Sequence, residues 1–576
     1  MKNLKKLSLE DEINREAEEI EKKVKENKEI EGMTVSEDME TALFNKIQEY
    51  EYDKRLKKVV YRKKKRTYVI GAIAAIIILI CGSVMTSVGS KSYVKVLWDK
   101  VIGDESVSYI DVEDMDSKKS KDYDEGQMNK DLTKGPVVKS MLLFAIPMIL
   151  GDLLQQCYNI ADTLIVGQFL GKTALAAVGS SFTLMTFITS IILGLCMGSG
   201  ALFSIRFGQR DKKGLKQDLC ASFFFIAFIS ILLNIIAYIC IDALKLFLSV
   251  PHEVWGDMRC YLLYIFMGII AIFLYNFFSA YLRSIGNSVI PLIFLAISSI
   301  LNIILDLYFV LVLKMGVGGA ALATVLSQYV SGIGIMLYTL LKYKEVLVIF
   351  KISYLKRERI KQIISFSLLT CIQQSVMNLG ILMVQGLVNS FGTIVMAAFA
   401  AAVKIDAFAY MPVQDFGNAF STFIAQNYGA KEKERIQKGL KEAVRISSIF
   451  CIIISILVYI FAKPLMMIFV DAKETSIILE GVRYLRIEGA FYIGIGCLFL
   501  LYGLYRALGR PGMSVVLTVF SLGTRVALAY ILSSIPTLGV IGIWWSVPIG
   551  WALADLVGLV YYKKNKHNLL SFEGKL

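Results

Sequence analysis

Four residues with oxygen-bearing side chains stand out because each lies within an apolar stretch: Asp162, Asn302, Asp306 and Thr324. Asp162 closes a series, Asp152, Gln155, Asn159 and Asp162, spaced i, i+3, i+7 and i+10, which is one face of a helix. Asn302 and Asp306 are one turn apart in NIILDLYFV and share a face. Two carboxylates, an amide and a hydroxyl at one depth have two uses. They could hold Na⁺ through oxygen, or share a proton, because two like charges in a low-dielectric site resist ionising together. An ionisable group inside a bilayer costs about 2.5 to 3.5 kcal/mol on insertion scales, so it is read as functional by default. Asp162 has the blander alternative of meeting water at a helix end; Asp306, deep in its run, has less claim to it.

A second set of polar groups follows further along the chain. Gln373 and Asn378 occupy a helix like that of Gln155 and Asn159, while Lys404, Asp406, Asp415, Glu488, Arg525 and Asp555 are charges within later apolar segments. Asp415 and Glu488 are candidates for attracting a cationic compound. Met377 and Tyr410, flexible thioether and aromatic face, suit the wall of an adaptable cavity, although such residues serve equally in plain helix packing.

The elements that must position these groups are membrane helices. Of 576 residues 56% are hydrophobic and 19% charged, with a mean hydropathy of +0.59, well beyond a soluble domain. Twelve apolar segments run from about 138–165 to 538–562, each long enough to cross a hydrocarbon core of about 30 Å. Basic residues concentrate at 206–216, 283, 351–361, 431–445, 506–510 and 563–566, which is every second connection. Those connections are therefore cytoplasmic and both ends of the twelve-helix body are inside. By this orientation Asp162, Asp306 and Thr324 all fall in the outer half of the first six helices.

Ahead of the body, residues 1–66 form a charged segment with amphipathic helical spacing, 67–87 an extra hydrophobic helix, and 88–135 a polar, acidic linker. The basic run 54–66 demands the cytoplasmic side, so a full crossing at 67–87 would start the body on the wrong face. Either the front helix lies in the interface or re-enters, which is the preferred expectation, or the first 66 residues are exported despite their charge. Residues 136–350 and 351–576 are the two halves of the body.

The halves repeat one another. Gly171 and Gly392, Ala176 and Ala397, and Gly208 and Gly429 are 221 residues apart; Arg283 and Arg506, Gly286 and Gly509, and Gly316 and Gly539 are 223 apart. Six helices per copy is an even number, so the copies run the same way through the membrane, related by a pseudo-twofold axis along its normal. The fold class is thus an all-α polytopic membrane protein of two six-helix bundles, an arrangement suited to alternating access. The polar face of the first helix has no acid in the second copy, and Asn302 and Asp306 become Arg525 and Ala529.

Other classes fall away. No nucleophile, base and metal constellation supports an enzyme, and no G-x-x-x-x-G-K-[ST] loop binds ATP, so the energy should come from an ion gradient. Nine cysteines lie in or beside apolar segments without a C-x-x-C pair, and the two histidines, His252 and His567, are far apart. Basic residues set between membrane segments do not point to nucleic acid.

The stretches IPMILGDLLQQCYNIADTLIVGQFLG, YLRSIGNSVIP, NIILDLYFV, MGVGGAALATVLSQ and FSTFIAQNYGAKEKERIQKG resemble, in order and spacing, the multidrug and toxic compound extrusion (MATE) family of secondary transporters, over about residues 132–566. The front segment distantly resembles the cytoplasmic and anchor portion of some bacterial sigma-factor regulators. The MATE resemblance implies a cell-membrane antiporter, in the inner membrane of a bacterium, that expels amphipathic or cationic compounds in exchange for Na⁺ or H⁺. It implies no cofactor, and a monomer is expected. It also implies that Asp162, Asn302, Asp306 and Thr324 form the cation-coupling site, whereas the coupling acid that other members carry in the seventh helix is missing from 360–390. Pro147 should bend the first helix unless the helix starts there, a bend through which cation binding could narrow a drug cavity. Two alternatives stand beside this reading: a flippase for lipid-linked oligosaccharides, which would need a basic cavity, and a membrane-bound regulator or sensor built around the front segment.

Overall fold

The computed structural model describes residues 131–243, 252–350 and 354–570. The expected charged segment 1–66, the extra helix 67–87 and the linker up to 130 lie outside the described residues.

Twelve membrane spans account for almost all of the described chain. They are α1 (Val137–Phe169), α2 (Lys172–Gly208), α3 (Lys212–Ile239), α4 (His252–Ser284), α5 (Val289–Leu307), α6 (Gly316–Lys342), α7 (Arg357–Asn389), α8 (Thr393–Gly429), α9 (Lys433–Phe469), α10, α11 (Pro511–Ser533) and α12 (Val540–Leu569). Lipid offers no partner to backbone N–H and C=O groups, so a chain this apolar satisfies them internally as helix. Two spans are irregular in ways the hydropathy pattern does not reveal. A 3-10 turn at Phe266–Gly268 interrupts α4, and α10 consists of Thr475–Gly489 and Tyr492–Ala507, bent by 52°. α1 continues through Pro147, with ten helical residues before it, so the proline is interior and deprives the carbonyl one turn earlier of its donor.

The repeat is visible in the packing. α5 lies against α1 and α6 as α11 lies against α7 and α12, and α2 packs on α4 as α8 does on α10. Gly171 and Gly392, matched in sequence, immediately precede α2 and α8 with φ of 89° and 95°. L side chains are disfavoured there, which explains glycine in both copies. Between the bundles the most extensive contacts are α2 with α7, α2 with α8, and α1 with α8. α1 divides its loyalty: Met141, Phe144, Ala145 and Met148 belong to the core of the second bundle, Ile165 and Val166 to that of the first. Pro147 stands where the second bundle's share of α1 ends.

The bundles close on one another at the basic, cytoplasmic end. A methyl on Gly208 would stand 2.0 Å from the Gln426 carbonyl oxygen, and one on Gly429 2.1 Å from that of Ile205. The hydroxyls of Ser199 and Ser367 meet at 2.8 Å, and Arg206 donates to Gln362 of α7 at 3.3 Å. The chain entering α1 is held from the opposite bundle. Leu132 is fully buried; its N–H donates to Gln426 Oε1 at 3.0 Å and its carbonyl accepts from Asn427 Nδ2 at 3.2 Å. The Arg435 guanidinium donates to the carbonyls of Leu132, Lys134 and Gly135, at 2.7 to 3.2 Å. Hydrogen bonds from a charged donor contribute about 1.5 to 3 kcal/mol each. Arg435→Gln should lower the thermal midpoint of the purified protein and speed amide exchange in residues 132–140. Exchange unchanged there would mean that this clamp carries no stability.

Candidate functional site

The helical repeat puts Asn302 and Asp306 on one side of α5, and α5 is wedged between α1 and α6. Ser298, a turn before Asn302, donates to the Ser327 carbonyl of α6 at 2.8 Å and holds the two helices in register. Asn302 Nδ2 donates to Thr324 Oγ1 at 3.3 Å. Asp306 is 0% exposed and Asn302 2%, while Asp162 and Thr324 are half-buried. Asp162 and Asp306 lie within electrostatic reach of each other. The structure therefore brings together all four residues that spacing and depth had grouped.

What these residues lack is protein partners. Asp162 Oδ1, Asn302 Oδ1 and both carboxyl oxygens of Asp306 are buried and meet no donor. Burying a polar group without a hydrogen bond is costly, and a buried carboxylate more so. Four orphaned oxygens fit a hard monovalent cation, or a proton on one carboxyl. Among the described residues no group of three His, Cys, Asp or Glu could hold a metal, which leaves two carboxylates and neutral oxygens as the donor set.

Three features here were not read from the sequence. Tyr158 of α1 and Tyr261 of α4 stand within reach of both carboxylates; Tyr261 has a counterpart, Tyr484, 223 residues on, and that match was the available signal. Directly after Asp306 the backbone changes to a π turn, Tyr308–Val312, a distortion common at functional sites and without a composition signature.

The remaining candidates divide. Gln155 lies beside Tyr158 and so at the edge of the Asp162–Asp306 group, with Asn159 half-buried on the next turn. Gln373 is buried beside Gln374, which reaches the Met197 sulfur of α2 at 3.7 Å; Asn378 and Met377 are half-buried on α7. Tyr410 leans on Phe499 with ring centroids 6.2 Å apart. Asp415 is 5% exposed and lies beside Asp152 of α1 and Asn418, at the α1–α8 seam. Glu488, 4% exposed, is enclosed in the second bundle near Asp406 and Arg525. Neither acid stands free in a cavity in this conformation, because each is sequestered by polar neighbours from adjoining helices.

Thr324→Val, which removes one oxygen and leaves the volume, should weaken cation dependence several-fold, the scale of about 1 kcal/mol for one hydrogen-bonding group. The check is the Na⁺ concentration or the pH at which export is half-maximal.

Comparison with known proteins agrees with this architecture. A profile of the MatE family matches residues 147–308 and 367–531. The probable multidrug resistance protein YpnP of Bacillus subtilis is 30% identical over 437 residues, covering 75% of this chain and 96% of that one. The probable multidrug resistance protein NorM of Thermotoga maritima is 25% identical over 433 residues, 74% of this chain and 92% of its own. A crystal structure of MATE in the bent conformation superimposes with a TM-score of 0.70 at 25% identity, over 77% of this chain and 99% of that one. With twelve spans in two bundles, an orphaned cluster of oxygens in the first and matches to both halves, the chain belongs to the MATE family and is a multi-pass transporter of the cell membrane, not an enzyme.

Proposed function

We propose that this protein is a secondary active antiporter that exports amphipathic or cationic compounds by alternating access, driven by Na⁺ or H⁺ entering through the first bundle. The observation that carries the reading is the set of four buried oxygens on Asp162, Asn302 and Asp306 that have no protein partner. Relatives that are named multidrug resistance or multidrug export proteins support the substrate class. The seventh helix has no acid between Ile360 and Ser390, which favours coupling in the first bundle.

The geometry suggests how cation and cargo exclude each other. Asp162 lies on the outer half of α1, beyond Pro147, while the inner half is packed into the second bundle. Drawing Asp162 toward Asp306 around a cation would swing the outer half of α1 about the proline, and the bound compound would lose room. A related transporter solved in a bent conformation is in keeping with such a hinge. A flippase for pyrophosphate-linked sugars is less well supported, because the first bundle offers acids where basic groups would be needed.

Efflux of ethidium from cells expressing the full chain tests the reading. Export that follows an imposed Na⁺ or H⁺ gradient, and is absent from cells carrying Asp306→Asn at equal expression, is expected. Export indifferent to both gradients would overturn it.

A further inference from the structure

Gln426, near the end of α8, is fully buried, and its side-chain amide is used at both ends. Oε1 accepts the Leu132 N–H at 3.0 Å, and Nε2 donates to the carbonyl of Ser284, the last residue of α4, at 2.7 Å. The backbone N–H can only donate and the carbonyl can only accept, so these two partners fix the amide in one of its two orientations. The bond to Ser284 runs from the second bundle to the first. It lies in the cytoplasmic seam, where Gly208 approaches the backbone carbonyl of the same Gln426. A buried amide that loses the partner of one end is left unsatisfied there. The seating of Leu132 and the bond across the seam therefore support each other.

The repeat shows that this arrangement is peculiar to one half. At the 221 offset Gln426 corresponds to Ile205, Asn427 to Arg206 and Arg435 to Gly214. Arg206 crosses the same seam to Gln362 of α7, at 3.3 Å, and is held from within its own bundle by Asp218, at 3.0 Å, with both side chains buried. The end of α2 thus spans the seam with a side chain that its own bundle fixes. The end of α8 spans it with one whose orientation depends on the strap of chain ahead of α1. That strap is lightly seated: Leu132 is the one buried residue among 131–136, and the rest of the hold is the set of bonds from Asn427 and Arg435 to its carbonyls.

We propose that residues 131–135 are a latch on the cytoplasmic gate. Seated, they orient Gln426 so that it ties the two bundles together; withdrawn, they release that tie, and the cytoplasmic face opens more readily. The chain ahead of Asp131 is joined covalently to the latch, which gives whatever that segment binds a route to the transport cycle. The proposal rests on the alternating access put forward above and places a point of regulation within it.

The test uses the purified full chain in lipid nanodiscs, spin-labelled at the cytoplasmic ends of α4 and α8, so that label separation reports how many molecules have the seam parted. Leu132→Asp puts a charge into the buried seat and should raise the ratio of parted to closed molecules about fivefold, the weight of one hydrogen bond. Gln426→Met keeps the length of the side chain, loses both bonds and should do the same. Combining the two should add little, because the latch acts through Gln426, whereas independent effects would multiply. A ratio unchanged in either single variant, or effects that multiply in the double variant, overturns the proposal. Should Leu132→Asp not fold, Leu132→Ser takes its place in both comparisons, and the same outcomes decide. The wild type separates the two readings. If its labels keep one separation at every Na⁺ concentration and pH, alternating access itself fails; if they move while both single variants match it, the latch alone fails.

Discussion

Asp306→Asn should abolish cation-driven export while leaving a folded protein. The substitution keeps the shape of the side chain and removes one of two carboxylates from a site in which Asp306 is fully buried. Opposite charges about 4 Å apart at an effective dielectric near 20 attract by about 4 kcal/mol, close to a thousandfold in cation affinity. Such a loss leaves the site empty at ordinary Na⁺ concentrations, and an asparagine cannot take up a proton in its place. Folding should not suffer in proportion, because the native carboxyl oxygens have no protein donor to lose. The measurement is ethidium export at matched expression, with thermal unfolding of the purified variant alongside. A variant that exports normally would move the coupling group elsewhere; one that unfolds would show that Asp306 is structural.

Gly208→Ala combined with Gly429→Ala should have the second large effect, and of a different kind. Both residues end long helices, and alanine is about 1 kcal/mol better than glycine within a helix, so the helices themselves lose nothing. The added methyls, however, would meet carbonyl oxygens of the opposite bundle at 2.0 and 2.1 Å, and backbone cannot step aside as a side chain can. Overpacking of this sort costs about 1 to 3 kcal/mol at each site, and every 1.4 kcal/mol is tenfold in an equilibrium constant. The closed cytoplasmic seam should therefore lose at least about tenfold in population to a state in which the bundles part there. Spin labels placed on the cytoplasmic ends of α2 and α8 should move apart in the double variant, and export should fall because the outward-open state is visited less. Label distances identical to those of the parent would show that the seam yields without parting.

Much of the architecture was legible in the residues because the bilayer imposes a simple rule. Every span had to be an apolar helix, so hydropathy located all twelve, with ends such as 360–389 against Arg357–Asn389 and 393–424 against Thr393–Gly429. Departures came where helices project past the hydrocarbon and their ends are polar, as in α9, which starts at Lys433 although its apolar stretch begins near residue 442. The bend in α10 and the break in α4 lie within apolar stretches, where lipid solvation is indifferent to the path of the backbone and only neighbouring helices decide it. The first-bundle group of Asp162, Asn302, Asp306 and Thr324 was legible for the complementary reason: a carboxylate in an apolar run is costly, and the repeat showed which polar groups one copy had and the other lacked.

Partnership between helices was not legible. Asp415 and Glu488 look alike in sequence, single acids in apolar runs, yet one lies at the seam beside Asp152 and the other inside the second bundle with Asp406 and Arg525. Which acid meets which base depends on the rotation of each helix about its axis and on the crossing of α1 with α8, quantities set by packing over the whole interface. The sequence by itself determined the number of spans and the duplication and singled out Asp162, Asn302, Asp306 and Thr324, because these follow from local hydropathy, helical period and the cost of charge in lipid, while the transporter class followed from the family resemblance of its motifs. Only the tertiary structure decided that α1 is shared between two cores with Pro147 at the boundary, that glycines close the cytoplasmic seam and that Asp406 is held by two tyrosines of α10, because each of these joins residues distant in the chain whose meeting no periodicity encodes.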